Sequence, residues 1–187
     1  MNERDDLLVI NLGHLSESLL KSNMLFFRDD GTIIRNAILA EVKSSDCNIV
    51  ALDFKNIEVI DFSCSDEIVV TLQEHNSWLD GKKMILMNLS KGHMENVESA
   101  LEKSKKSIWV QEKSNAFLLG KTPKHLVRLL EIVRERKTIT ARQIADETDE
   151  EIASISVKLG KLFKEGLILR TQSKSQEGME YVYKSIV

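Results

Sequence analysis

The sequence predicts an α/β unit, a mixed or parallel sheet with covering helices, followed by a smaller α+β unit. Three observations carry this. From Leu7 to Val110, short apolar runs alternate with segments of helical period, and strands spaced by helices need crossover connections. The single proline, Pro123, stands in Gly120-Lys121-Thr122-Pro123, where Thr122 reads as an N-cap with proline at the first helical position. Charge also divides there. Residues 1–120 carry 13 Lys+Arg against 19 Asp+Glu, a net of −6, and residues 121–187 carry 13 against 10, a net of +3. The boundary is placed between Lys113 and Thr122, giving domains of 1–115 and 116–187.

In order, Leu7–Leu12 is a short apolar strand and Met24–Phe27 a second one. Asp30–Lys43 carries Ile33, Ile34, Ala37, Ile38 and Val42 at helical spacing. Asn48–Phe54 is a buried-type strand. Gly81-Lys82-Lys83 turns into the strand Met84–Leu89. Ser90–Lys103 is a helix, and Ser107–Val110 is a last strand. Trp78 and Trp109 are expected in or beside this first core.

Several classes are excluded. No apolar run approaches the roughly 18–20 residues of a membrane span. The polar, acidic start Met1-Asn-Glu-Arg-Asp-Asp is not a signal peptide. Cys47 and Cys64 lack metal-ligand spacing, which favours a reducing, cytoplasmic setting. His14, His75, His93 and His125 are scattered and never paired at i, i+4. No Gly-x-Gly-x-x-Gly or Walker A pattern occurs, and Gly120-Lys121-Thr122 reads as linker. No catalytic residue, metal or cofactor is therefore expected.

Between Ala51 and Leu79 a buried strand ends at Phe54. Val59-Ile60-Asp61 follows, and a polar loop opens a helix. Ser63 or Ser65 can cap that helix, and Asp66 and Glu67 suit the positive end of its dipole. Ile68, Val69 and Leu72 then face inward. A thiol at a helix start can ionise readily; a small buried cysteine is the expectation for Cys64.

Leu52-Asp53 and Asp61-Phe62-Ser63 resemble the STAS domain of anti-sigma-factor antagonists, in which a strand ends in Leu-Asp and an Asp-Ser-Ser-Gly-like loop opens a helix. Ser63-Cys64-Ser65-Asp66-Glu67 is similar to a divergent STAS-like group of unknown function with Ser-Phe-x-Asp-Glu at this place, Cys64 standing where that group has Phe. The resemblance covers residues 5–112. It implies a STAS-like mixed sheet with covering helices, and a partner or modification site at Asp61, Ser63, Ser65 and Asp66. In phosphorylated STAS members the acceptor serine directly follows the loop aspartate. Here that residue is Phe62, so Ser63 and Ser65 are caps, or one of them is modified instead.

In the second half, a helix from Pro123 to about Arg136 turns Leu126, Leu129, Leu130 and Val133 to one face. Thr140 opens a short helix with Ile144 and Ala145 inward. Thr148 followed by Glu151 has the spacing of a capping box. The third helix carries Ile152, Ile155, Leu159, Leu162 and Phe163 as its core stripe. Gly166 ends it as a left-handed cap. Leu167–Thr171 and Met179–Ser185 read as a hairpin. Three helices and a hairpin in this order make a winged helix-turn-helix.

Thr140-Ala-Arg-Gln-Ile-Ala and Leu159…Leu162…Lys164-Glu165-Gly166-Leu167-Ile168 resemble the MarR-like and ArsR-like bacterial regulators. The resemblance implies that the third helix enters the major groove and the wing touches flanking backbone. The outward positions are then Ala153, Ser154, Ser156, Val157, Lys158 and Lys161, with Arg170, Lys174 and Lys184 on the wing. Arg142 on the second helix would meet a phosphate. Asp146, Glu147, Asp149, Glu150 and Glu151 oppose this, because carboxylates there repel phosphates. The expected function is a homodimeric, DNA-binding transcriptional regulator that takes a protein or small-ligand input at its STAS-like domain. The alternative is a protein-interaction adaptor of the anti-sigma-antagonist, partner-switching type.

Overall fold

The structure, a computed structural model, describes residues 6–75, 77–79, 81–113, 115–175 and 178–187. The chain divides into two compact units, Met1–Lys121 and Thr122–Val187.

The first unit runs β1 (Leu7–Asn11), α1 (Leu12–Leu20), β2 (Met24–Leu25), α2 (Arg28–Lys43), β3 (Ile49–Asp53), β4 (Val59–Ile60) and α3 (Phe62–Ser65). It continues through a π-helical turn (Asp66–Val70), α4 (Thr71–Glu74), β5 (Lys83–Met87), α5 (Lys91–Lys103), β6 (Ser107–Glu112) and β7 (Asn115–Gly120). The large sheet has the order β1-β3-β5-β6-β7. Its first four strands are parallel, and β7 returns antiparallel to β6. The unit is thus α/β with a mixed sheet.

Register decides which side of this sheet is covered. Ile10, Leu52, Leu86, Val110 and Phe117 stand in one row across the five strands. That row packs in one core with Ile34, Ile38 and Val42 of α2, Ile68, Val69 and Leu72 after Asp61, and Val97 and Leu101 of α5. Side chains alternate along a strand, so these helices lie on one face. Full burial of a Leu or Ile there contributes about 1.5–3 kcal/mol. Trp109 is buried on the reverse face, in register with Ile85 and Leu118.

Several expectations are corrected. The strand Leu7–Leu12 stops at Asn11, whose side chain accepts the His14 N–H at 2.8 Å and starts α1, a helix not foreseen. Residues 116–120, assigned to the second domain, form most of β7 and belong to the first unit through their pairing with β6. Of the two tryptophans expected in or beside this core, Trp78 takes the outer place: it is 38% exposed and stacks on His75 with ring centroids 4.1 Å apart. Ile33 also faces outward on α2.

The second unit runs α6 (Lys124–Arg136), β8 (Thr138–Thr140), α7 (Ala141–Thr148), α8 (Ile152–Lys164), β9 (Leu169–Ser175) and β10 (Gly178–Lys184). Its three strands are antiparallel in the order β8-β10-β9. Leu126, Leu129, Leu130 and Val133 of α6 are buried, as are Ile144 and Ala145 of α7 and Ile155, Leu159 and Leu162 of α8.

Three end details differ from the sequence reading. Pro123 itself caps α6, its carbonyl accepting from Leu126 and Val127. Thr148 is no cap: it ends α7, its hydroxyl donating to the Ile144 carbonyl at 2.8 Å, and Glu151 holds the N-cap position of α8. Ile152 is therefore displaced from the core stripe and is 44% exposed, and Phe163 is half-buried. Gly166 stops α8 with φ +80°, the left-handed turn expected of it.

Candidate functional site

The helix start after β4 is built around Asp61. Its backbone is extended, and its Oδ1 accepts the Cys64 N–H at 2.8 Å. The Ser63 hydroxyl, 2.9 and 3.0 Å from the two carboxylate oxygens, donates to the same group. Asp61 is the cap, and neither serine is. Ser65 is fully buried, with no hydrogen-bond partner for its Oγ among the described residues. It is closed to a modifying enzyme, which removes it from the candidate modification sites. Ser63 is half-buried and retains its place among them.

Cys64 lies in the core. Its Sγ donates to the Phe27 carbonyl at 2.9 Å. Burial first, then the Asp61 charge, push the thiol up to about 12. The thiolate is therefore suppressed, opposite to the tendency of a helix start.

Asp66 and Glu67 begin the π-helical turn and are gripped by α2. Arg28 bonds Asp66 and Glu67, each at 2.6 Å. Arg35 also pairs with Glu67, and Thr32 approaches it at 3.3 Å. The hydrogen bond to Asp66 raises the Arg28 pKa further. Gly31 allows the approach: a Cβ there would stand 2.9 Å from the Glu67 Cβ and 3.2 Å from the Cys64 Cα. Asp66 is thus a structural anchor, with its carboxylate already engaged.

One feature was missed from sequence. Met24, Phe26, Phe27 and Val59 are exposed beside this helix start, Phe27 by 71%. Read as strand, Met24–Phe27 gave no reason for two adjacent aromatics to face outward. The adjacent Phe pair was the available signal.

In the second unit, Ala153 and Val157 of α8 are exposed, Val157 by 74%, and Ser154 and Ser156 are half-buried beside them. Lys161 is exposed and lies 3.8 Å from Glu165. Lys158 is not free: it pairs with Glu150. Arg170 is sandwiched between the Phe163 and Tyr181 rings, 4.2 Å from each centroid. It ties the β9–β10 pair to α8 instead of extending outward. Burial raises the Tyr183 pKa, and Arg170 partly opposes this. Arg142, Lys174 and Lys184 are exposed.

Of the acidic cluster, Glu147 bonds Arg136 at 2.9 Å and Glu150 holds Lys158. Asp146, Asp149 and Glu151 are exposed and line a concave surface with Ala145 and Ile152. A separate cavity between Leu129, Ile144 and Ile155 measures about 20 Å³, room for little more than a water.

His93 is buried, its Nδ1 accepting the Ser90 N–H at 3.1 Å, and burial lowers its pKa. Among the described residues, no three His, Cys, Asp or Glu side chains are grouped to hold a metal, and no helix is long and apolar enough to cross a membrane.

No family model, curated protein or solved structure matches this chain.

Proposed function

We propose that this chain is a cytoplasmic transcriptional regulator that binds DNA through its second unit, read as a winged helix, and takes a protein input at its first unit, read as STAS-like. One observation carries the DNA half. The outward side of α8 bears small residues, Ala153, Ser154 and Ser156, next to exposed Val157 and Lys161. Small side chains let a helix backbone approach base edges, and Val157 can meet a thymine methyl. Arg142, Lys161 and Lys174 then serve the phosphates. Two copies would read two half-sites.

Three phosphate contacts per protomer give a log–log salt slope of about −2.7, so a fourfold rise in salt weakens binding by roughly 40-fold for one protomer. Fluorescence anisotropy with the gene's own upstream DNA at two salt concentrations tests this. A salt-insensitive or absent signal removes the DNA reading.

A second reading is favoured by the start of α8. Asp146, Asp149 and Glu151 carry no ion pair among the described residues, and Lys158 is held by Glu150. An acidic lip with exposed Ile152 suits protein docking better than phosphate approach. In that case the chain is an adaptor of the partner-switching type, and the same titration separates the two.

A further inference from the structure

The β2–β4 edge of the first unit exposes an aromatic ridge that nothing in the DNA reading uses. Met24 and Val59 are direct partners in a parallel pair, so their side chains share a face. Phe26, two residues beyond Met24 along the strand direction, continues it. Phe27 follows at the head of α2. These four residues are 40%, 36%, 45% and 71% exposed, in the order named. Contiguous apolar surface of this kind marks an interaction site.

The ridge is held in place. The Phe27 N–H donates to Asp30 Oδ2 at 3.3 Å, and the Phe27 carbonyl accepts from Cys64 Sγ. The Phe26 carbonyl lies 3.4 Å from Ser63 Oγ. A backbone fixed before binding loses little further entropy on contact.

The surrounding charge names the partner. Segments 23–30 and 58–67 contain Asp29, Asp30, Glu58, Asp61, Asp66 and Glu67 against one cation of their own, Arg28, and from α5 Lys103 stands over the Phe62 ring, 5.2 Å from its centroid. Arg28 is already bonded to Asp66 and Glu67, which leaves four carboxylates without a cation among the described residues. This rim repels nucleic acid and anionic lipid. It also disfavours a second copy, since a symmetric contact through this ridge would set one acidic rim against another.

We infer that the ridge of Met24, Phe26, Phe27 and Val59 docks a partner-protein segment with an apolar anchor flanked by Lys or Arg. This rests on the reading that the first unit receives a protein, and it moves the centre of that site from Ser63 to the adjoining ridge.

The test uses the full-length chain, isotope-labelled, titrated with a short amphipathic peptide bearing Leu and Phe anchors and Lys/Arg flanks. A copy of the peptide with Glu flanks is the control. Expected are amide shifts at 24–27 and 59, binding by the basic peptide alone, and a loss of about tenfold or more in Phe27→Ser. The Asp29→Lys/Glu58→Lys variant should switch preference to the Glu-flanked peptide. These positions are exposed, and unchanged thermal unfolding confirms that each variant is folded. Equal binding of both peptides, no binding, or indifference to Phe27→Ser overturns the inference. So does concentration-dependent dimerisation that Phe27→Ser abolishes, which would name a second copy as the occupant. Shifts centred on 61–66 with the ridge silent would overturn the ridge alone and leave the protein-input reading standing.

Discussion

Arg35 of α2 and Glu67 of the π-helical turn form an ion pair at the edge of the first core, with the Glu67 side chain only 9% exposed. Arg28 reaches the same carboxylate, so two cations from one helix hold the turn in which the backbone departs from α geometry. A π turn is rare and is often found where function requires it.

Cutting this pair should be costly. Arg35→Met leaves Glu67 partly uncompensated, and a loss of about 3–5 kcal/mol is the scale for breaking a buried pair. Arg28, being half exposed, should matter less, because solvent screens it. The double variant Arg35→Met/Glu67→Leu should recover part of the loss, giving a non-additive cycle. Urea unfolding midpoints of Arg35→Met, Glu67→Leu and the double variant complete the cycle, and simple additivity would mean that the pair is not coupled.

Gly31 is where α2 touches that turn. Gly31→Ala forces its Cβ against Glu67 and the Cys64 backbone, an overpacking cost of about 1–3 kcal/mol. Gly160, with open space around it, provides the contrast: Gly160→Ala in the middle of α8 should stabilise by up to about 1 kcal/mol. If both changes shift thermal unfolding the same way, the packing described at Gly31 is wrong.

Stability should fall on both sides of neutral pH. The His93 pKa is depressed from its ordinary 6.5 by burial, so the unfolded chain takes a proton first. Its contribution is complete above about 6.5 and declines as pH drops from there toward the folded value. Cys64 works in the opposite direction. Its pKa is raised from 9.0 to about 12, so its contribution is complete below about 9 and is lost as pH climbs toward 12. The slope of unfolding free energy between pH 5 and 7 should flatten in His93→Gln, and Cys64 should resist iodoacetamide until the protein unfolds.

The β9–β10 pair should loosen when Arg170 is shortened. A guanidinium between two rings contributes on the order of 1–2 kcal/mol, and Lys lacks the flat face that fits between Phe163 and Tyr181. Arg170→Lys should therefore lower stability and speed amide exchange in β9 and β10. Unchanged exchange in both strands would show that the sandwich does not hold them.

On the DNA reading, Lys161→Glu should weaken binding tenfold or more, while Lys158→Met should have a smaller effect, because Lys158 is engaged by Glu150. Glu150→Gln should raise affinity a few-fold by removing a repulsive charge and releasing Lys158. Anisotropy at fixed salt ranks the three; weaker binding by Glu150→Gln would contradict the electrostatic account.

Much of this was legible in the residues. The stripe Leu126, Leu129, Leu130, Val133 and the cap at Gly166 follow from local period and from backbone sterics, and both are present. The site was less legible. Asp61, Ser63, Ser65 and Asp66 were rightly seen as neighbours at a helix start. Their roles depended on partners far along the chain: Arg28, 38 residues from Asp66, and the carbonyl of Phe27, 37 residues from Cys64.

The sequence by itself determined the alternation of strands and helices, the turn of α/β into α+β near Pro123, and the inward stripes, because each is set within a few residues by periodicity, capping and backbone restriction. Only the tertiary structure decided that β7 belongs to the first sheet, that Lys158 and Arg170 are occupied, that Ser65 is sealed, and that Phe26 and Phe27 stand outside. These depend on which distant surface each side chain meets, and burial and pairing across the fold leave no local pattern to read.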